Sequence, residues 1–425
     1  MTHVIGKRIP RHDAILQVTG KAEYGVDVFR PGMLHAKVLR SPHPHARILE
    51  VDTSRARSHP GVAAVITAED VPHNRIGFTH LDQPLLVEDK VRYRGDAIAA
   101  LAAESLETAE EAISLIRVEY EPLAGVFNPL EAMKPNAPKV HEENESNIAS
   151  HIKIRYGDIE QGWKESDEVV EETIKTQMVE HCHIEPHAAL AEADPRGTIT
   201  VYGSVQRPFL IASDLSRILG MPLNRIRVVT TAVGGGFGGK NEISMEPYLV
   251  LLALKTKKPV KMVYTREEEF RATTVRHPYV VKFKTGVKRD GTLVARQAEI
   301  ISDTGAYVVW GESALSKACI HAAGPYRIPH VKTDGYLVYT NNNVGGAMRG
   351  FGVPQLGFAY ECHTDTVAAS LGMDPLEFRL KNLLVDGSSL PTGQILETVA
   401  LKDTVREAVR MVGWKKEVDW DEEAG

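Results

Sequence analysis

Apolar positions along this chain switch between two periods, and the switches mark where helices and strands should fall. Leu106, Ala109, Ile113 and Ile116 recur at helical spacing behind Ser105, whose hydroxyl suits an N-cap. Ile211, Leu215, Ile218 and Leu219 form a second helical stripe that ends at Gly220. Short β-rich runs occupy 33–39 and 62–66, and the apolar segment 225–230 leads through a glycine run to a helix-like stretch at 245–254. Arg289-Asp290-Gly291 is expected to turn a hairpin between 279–287 and 292–301. A helix should begin after Pro354 and stop at Gly372. Asp374-Pro375-Leu376-Glu377 then offers an N-cap, a first-turn proline and a reciprocal glutamate for the next helix.

These elements predict an α+β protein in sequence order: an α/β module over 1–125, a surface linker over 126–150 rich in Pro, Asn and Glu, a second domain over 151–385, and an extension over 386–425 that is highly charged beyond Lys415. A length of 425 residues agrees with more than one core. The net charge of −6 disfavours nucleic acid as the main partner. No apolar run approaches the roughly 20 residues that span a bilayer, and the start lacks the apolar core of a secretory signal. A cytoplasmic protein with no membrane partner is expected. Cys182, Cys319 and Cys362 lie far apart, so this chain alone supplies neither a disulfide framework nor a four-thiolate iron–sulfur site.

Two loops change that bland picture. Gly234-Gly235-Gly236-Phe237-Gly238-Gly239-Lys240 lets the backbone approach a ligand closely and aim several N–H groups at something anionic or rich in oxygen. It fits the phosphate-binding pattern G-x-x-x-x-G-K, but Asn241 follows where that motif needs a magnesium-binding hydroxyl. A P-loop NTPase is therefore a remote alternative. Gly345-Gly346-Ala347-Met348-Arg349-Gly350-Phe351-Gly352-Val353-Pro354-Gln355 has the same character, with glycines around one aromatic and a helix start behind.

Gly-Gly-Gly-Phe-Gly-Gly-Lys at 234–240 and Ala-Met-Arg-Gly-Phe-Gly-Val-Pro-Gln at 347–355 resemble the molybdenum hydroxylases, the xanthine oxidase and aldehyde oxidoreductase family. Three further stretches, 18–24, 39–46 and 91–96, look like that family's amino-terminal hammerhead domain, and Tyr326-Arg327-Ile328-Pro329 matches another of its landmarks. The resemblance implies a hammerhead domain followed by the first half of a molybdopterin-binding α+β region. It implies that Gln206 points at a molybdenum ligand, that the backbone at Gly236, Phe237 and Gly238 and at Ala347, Met348 and Arg349 bonds the metal's oxygens, and that Phe351 packs on a flat substrate. Gln206 and Arg349 are the catalytic positions expected on this chain, and no side chain ligates the metal. Preorganised N–H donors suit oxygen ligands that gather negative charge as a metal is reduced.

No stretch after Asn382 resembles the half that carries the family's catalytic glutamate. A second molybdopterin subunit is expected to bring it, with 2Fe-2S and FAD subunits carrying electrons away. Purine-oxidising relatives have a glutamate where Asn241 stands and an arginine where Lys317 stands. A lysine suits a small anionic ring, because an ammonium can pair with a carboxylate. Asn241, Lys317 and Phe351 are thus the expected substrate contacts. Gly350 replaces the cysteine of carbon monoxide dehydrogenases. The expected reaction is hydroxylation of an electron-poor N-heteroaromatic ring, nicotinate to 6-hydroxynicotinate with NADP as final acceptor, on a molybdopterin dinucleotide (cytosine) with a terminal sulfido or selenido ligand. Aldehyde or purine oxidation is the alternative, and an assembly subunit around a cofactor held by a partner is another. In His181-Cys182-His183-Ile184-Glu185-Pro186-His187, alternate residues would share a face of a strand, which makes zinc conceivable. Their spacing of roughly 6.5–7 Å along one face argues against convergence on one ion.

Overall fold

The computed structural model describes residues 4–414, so the charged tail expected beyond Lys415 lies outside the described residues. The chain forms two compact units that interleave in sequence. One takes residues up to Ile76, Leu81–Leu123 and His181–Thr273; the other takes Gly77–His80, Ala124–Glu180 and the chain from Thr274 onward. The sequence-order division at 125 and 151–385 therefore does not match the compact units. The reason is strand pairing: Val260–Val263 lies parallel to Leu34–Arg40, so residues beyond 181 complete the sheet begun near the amino terminus.

That seven-stranded sheet runs in the order Ile226–Thr230, Ile199–Gly203, Ala188–Ala193, Val260–Val263, Leu34–Arg40, Ala97–Ala103 and Val62–Ile66. Every residue of Ala97–Ala103 is buried, because helices cover both faces. Ala99, Leu101 and Ala103 pack with Ala109 and Ala112 of the Leu106–Ile113 helix. Ala100 and Ala102 join Leu249, Leu252 and Ala253 of the Glu246–Thr256 helix in the other cluster. A strand covered on both faces reads as a continuous apolar run. The first helix begins as expected, with Ser105 Oγ accepting the Thr108 N–H at 3.1 Å. Pro208–Leu219 likewise ends at Gly220 in a left-handed cap. Strands Lys90–Val91, Ala46–Asp52 and Arg117–Pro122 make a separate three-stranded sheet.

The second unit is built on a five-stranded sheet, in the order Ile148–Tyr156, His330–Tyr339, Leu293–Gly305, Tyr279–Val287 and Glu168–Lys175. The expected hairpin is present, with Val287 opposite Leu293 across Arg289-Asp290-Gly291. Leu293–Gly305 crosses to the parallel His330–Tyr339 through the helix Gly311–Ile320. The helix Val353–Ser370 follows the second glycine loop, and Asp374 caps Pro375–Asn382 by accepting the N–H groups of Leu376 and Glu377. The stretch 126–150, expected as a surface linker, keeps many exposed residues but is anchored in the core at three points. Val126, Ala132 and Val140 are buried in the core with Ile300 and Leu337, and the Val126 N–H is held by Asn341 Oδ1 at 2.9 Å. Its apolar residues are too sparse to show a period.

Candidate molybdopterin site

In the first unit, strand Ile199–Gly203 delivers Gln206 to the start of the Pro208–Leu219 helix, and strand Ile226–Thr230 delivers the glycine loop. Gln206 Oε1 accepts the Gly238 N–H at 2.9 Å and the Lys240 N–H at 3.3 Å, while the Gln206 N–H donates to the Lys240 carbonyl at 2.8 Å. An amide N–H can only donate, so the atom facing Gly238 must be the oxygen, and the Gln206 NH2 group is turned away from the loop. A Cβ at Gly236 would sit 2.5 Å from Gln206 Oε1, so only glycine lets this side chain lie against the loop. Phe237 takes a φ of +54° and is 49% exposed. Among the described residues, the N–H groups of Gly235, Gly236 and Phe237 have no acceptor. Three consecutive N–H groups without an acceptor are a candidate cradle for an anion or oxo group.

The irregular segment 181–187 lines the other side of this loop rather than forming a strand. Glu185 binds Lys240 at 2.9 Å, and His187 donates from Nε2 to the Gly239 carbonyl at 3.0 Å. His187 Nδ1 faces Glu269 at 2.9 Å, and His183 Nε2 lies 3.6 Å from the same carboxylate. Burial pushes the Glu269 carboxyl up, but the hydrogen bonds and charge of His187 outweigh it and hold it below the ordinary value. Both ring nitrogens of His187 thus have partners, the Glu269 carboxylate at Nδ1 and the Gly239 carbonyl at Nε2. Ligand atoms of His183, His187 and Glu269 all lie within 4.8 Å of one another. Both His187 ring nitrogens are already engaged by Glu269 and the Gly239 carbonyl, so in this arrangement the cluster braces the glycine loop.

The second unit holds the other loop. Gly345 and Gly346 donate to the carbonyls of Thr304 and Val275 at 2.9 and 2.8 Å, which pins its start. Arg276 donates to the Arg349 carbonyl at 2.8 Å and to Gln355 Oε1 at 3.1 Å, which pins its end. Gly350, Phe351 and Gly352 take φ values of +89°, +52° and +90°. Among the described residues, the N–H groups of Met348, Arg349 and Gly350 have no acceptor. Ala347 is buried, Met348 half-buried and the Arg349 side chain exposed. The Lys317 ammonium lies 5.5 Å above the Phe351 ring, so two of the expected substrate contacts meet. Trp310 meets the edge of Phe351 at 6.1 Å, and Phe78 stacks on Trp310 at 3.9 Å. Asn241 stands at the end of the first loop, its N–H donating to the Gly238 carbonyl at 3.2 Å.

Sequence reasoning missed Glu185, Arg276, Trp310 and Phe78. Only Glu185 left a signal, in the alternation at 181–187. His277, under Gly345, was missed as well; burial, with Arg276 nearby, pushes its imidazole down to about 4. Its unfolded counterpart takes up a proton first as pH falls below the ordinary histidine value, so stability should drop from there toward pH 4. Between pH 6.5 and 5 this amounts to about 2 kcal/mol. Urea midpoints at the two pH values should differ less in His277→Asn than in the wild type.

The family model described as the molybdopterin cofactor-binding domain matches residues 140–383, and that of the aldehyde oxidase and xanthine dehydrogenase a/b hammerhead domain matches residues 19–124. The chain belongs to the molybdenum hydroxylase family. It is 40% identical over 419 residues to the nicotinate dehydrogenase large molybdopterin subunit of Eubacterium barkeri, covering 97% of this chain and 98% of that one. It is 45% identical over 374 residues to a probable xanthine dehydrogenase subunit of Bacillus subtilis, covering 88% of this chain and 50% of that one. The aldehyde oxidoreductase of Desulfovibrio gigas superposes with a TM-score of 0.92 at 31% identity, over 96% of this chain and 46% of that chain. The chain thus spans nearly all of the first relative and about half of the others. It is an α+β, molybdopterin-binding chain of the xanthine dehydrogenase and aldehyde oxidoreductase type, with the hammerhead domain first. Among the described residues no helix is long and apolar enough to cross a membrane.

Proposed function

We propose that this chain is the molybdopterin-binding large subunit of a cytoplasmic, heteromeric hydroxylase that converts nicotinate to 6-hydroxynicotinate, with NADP as final electron acceptor. The observation that carries this is the 40% identity spanning almost the full length of both this chain and a nicotinate dehydrogenase large subunit. Lys317 over Phe351 adds chemistry of the right kind, a cation beside an aromatic face for a ring that bears a carboxylate. Asn241 leaves no acid to meet a purine N–H.

Each loop, within its own unit, offers backbone donors that fit an oxygen-rich, anionic group, and the cofactor proposed for the chain is a molybdopterin cytosine dinucleotide with a terminal sulfido or selenido ligand. When bound, that centre supplies the two-electron oxidation and the transfer of oxygen to the ring carbon. The Gln206 amide and the N–H groups of Gly235, Gly236 and Phe237 stabilise negative charge on its oxygens, as do those of Met348, Arg349 and Gly350. These donors are fixed before reaction and need no reorganisation. Lys317 orients the substrate carboxylate and Phe351 supports the ring face. A second molybdopterin subunit supplies the glutamate that acts as base, and 2Fe-2S and FAD subunits pass the electrons on.

Assaying the purified complex with nicotinate, xanthine and an aldehyde tests the substrate. Turnover of nicotinate with NADP is expected, and activity on xanthine or aldehyde alone would discard it. The xanthine arm answers a specific competitor, since 45% identity links this chain to a probable xanthine dehydrogenase subunit. Lys317→Met should raise the KM for nicotinate about 10-fold, the scale of one partly exposed charged hydrogen bond, and change kcat much less. An unchanged KM would remove Lys317 from the substrate site.

A further inference from the structure

We propose that Glu185, Lys240 and Ser204 are positioning residues, a buried clasp that closes the ends of the first glycine loop and so presents the donors of Gly235, Gly236 and Phe237. The proposal rests on that loop holding the molybdopterin cofactor, as proposed above. One carboxylate gathers four groups from three separate segments. Glu185 Oε2 accepts the Gly234 N–H at 2.7 Å, the Ser204 hydroxyl at 2.8 Å and Lys240 Nζ at 2.9 Å, while Oε1 accepts the Gly25 N–H at 3.2 Å. Lys240 in turn spends its donors on Glu185 Oε2 and the Glu185 carbonyl, both at 2.9 Å, and on Ser204 Oγ at 2.5 Å. Its side chain is fully buried.

Such a buried ammonium is tolerated only because every proton has an acceptor. The same bonds have a consequence for the cradle. Gly234 stands at one end of the loop and Lys240 at the other, and a single carboxylate holds both. Gln206 consumes the inward N–H groups of Gly238 and Lys240. Among the described residues, the donors between these anchors are the ones left without an acceptor. The clasp therefore acts through the loop rather than on substrate.

Glu185→Gln is the sharpest probe, because it keeps the shape of the side chain. A neutral amide has one acceptor oxygen, so either Gly25 or the Gly234, Ser204 and Lys240 group would meet an NH2 donor instead. In the purified complex, three readouts apply: molybdenum per chain, the Mo(V) resonance after dithionite reduction, and amide hydrogen exchange across 234–240. Dithionite bypasses the substrate, so a wrong substrate assignment leaves these readouts intact. The expected result is a shifted Mo(V) signal, faster exchange in the loop, and kcat lower by about 10-fold or more with KM little changed, as for a group acting only on the reacting centre. Wild-type resonance and exchange at full molybdenum content would overturn the proposal, and so would a lower melting temperature with both readouts unchanged. If Glu185→Gln does not fold or load metal, Ser204→Ala removes only the bridging hydroxyl. A shift in its Mo(V) signal then supports the clasp, and none refutes it.

Discussion

Alanine in place of Gly236 should cut hydroxylation by about 100-fold, the scale expected for a displacement near 1 Å at a reacting centre. The added Cβ would lie 2.5 Å from Gln206 Oε1. Gln206 cannot simply swing aside, because that oxygen holds the N–H groups of Gly238 and Lys240. Either the glutamine leaves the loop or the loop leaves the glutamine, and both turn the free donors of Gly235, Gly236 and Phe237. Folding should suffer less, since the side chains that would be displaced, Gln206 and Phe237, are exposed. Turnover, molybdenum content and melting temperature measured together separate these effects. An alanine variant with wild-type turnover would show that the pairing of Gln206 with this loop has no part in catalysis.

At Gly352 the largest loss should be in stability. Its φ of +90° and ψ of −31° are costly for any L side chain, and a Cβ there would run into the carbonyl oxygen of Ala314. Neither backbone can yield cheaply. Ala314 belongs to the helix Gly311–Ile320 and is buried, and Gly352 starts the helix Val353–Ser370. Gly352→Ala is expected to cost about 3 kcal/mol, from left-handed strain together with the displaced contact. Urea unfolding of the purified protein reads it directly. The Gly311–Ile320 helix also carries Lys317 over Phe351, so nicotinate KM should rise in the same variant. A loss below about 1 kcal/mol would mean the loop relaxes freely, which the tight approach argues against.

The elements that were legible in the sequence are those whose signal is local. Ser105 with its helical stripe, the Pro208–Leu219 helix ending at Gly220, the hairpin at Arg289-Asp290-Gly291 and the Asp374 cap all depend on neighbours within a few residues. The two glycine loops were legible for the same reason, since backbone freedom is written residue by residue. Division into compact units was not, because the pairing of Val260–Val263 with Leu34–Arg40 joins residues more than two hundred positions apart. The stretch 126–150 looked like a linker because its three buried apolar residues, Val126, Ala132 and Val140, make no pattern of their own.

For the site, the chain by itself determined where close-approach backbone lies and which residue types stand beside it: Gln206, Asn241, Lys317, Arg349 and Phe351. Tertiary structure alone decided what each one faces. It turned the oxygen of Gln206 inward onto Gly238, drew Lys317 above Phe351, and laid Arg276 against the Arg349 carbonyl. It also made an apparent metal motif at 181–187 into the support of a loop more than forty residues away. Residue type and spacing record what a group can donate or accept. Which partner it meets depends on burial and long-range pairing, where an unpaired polar group costs enough to select one arrangement.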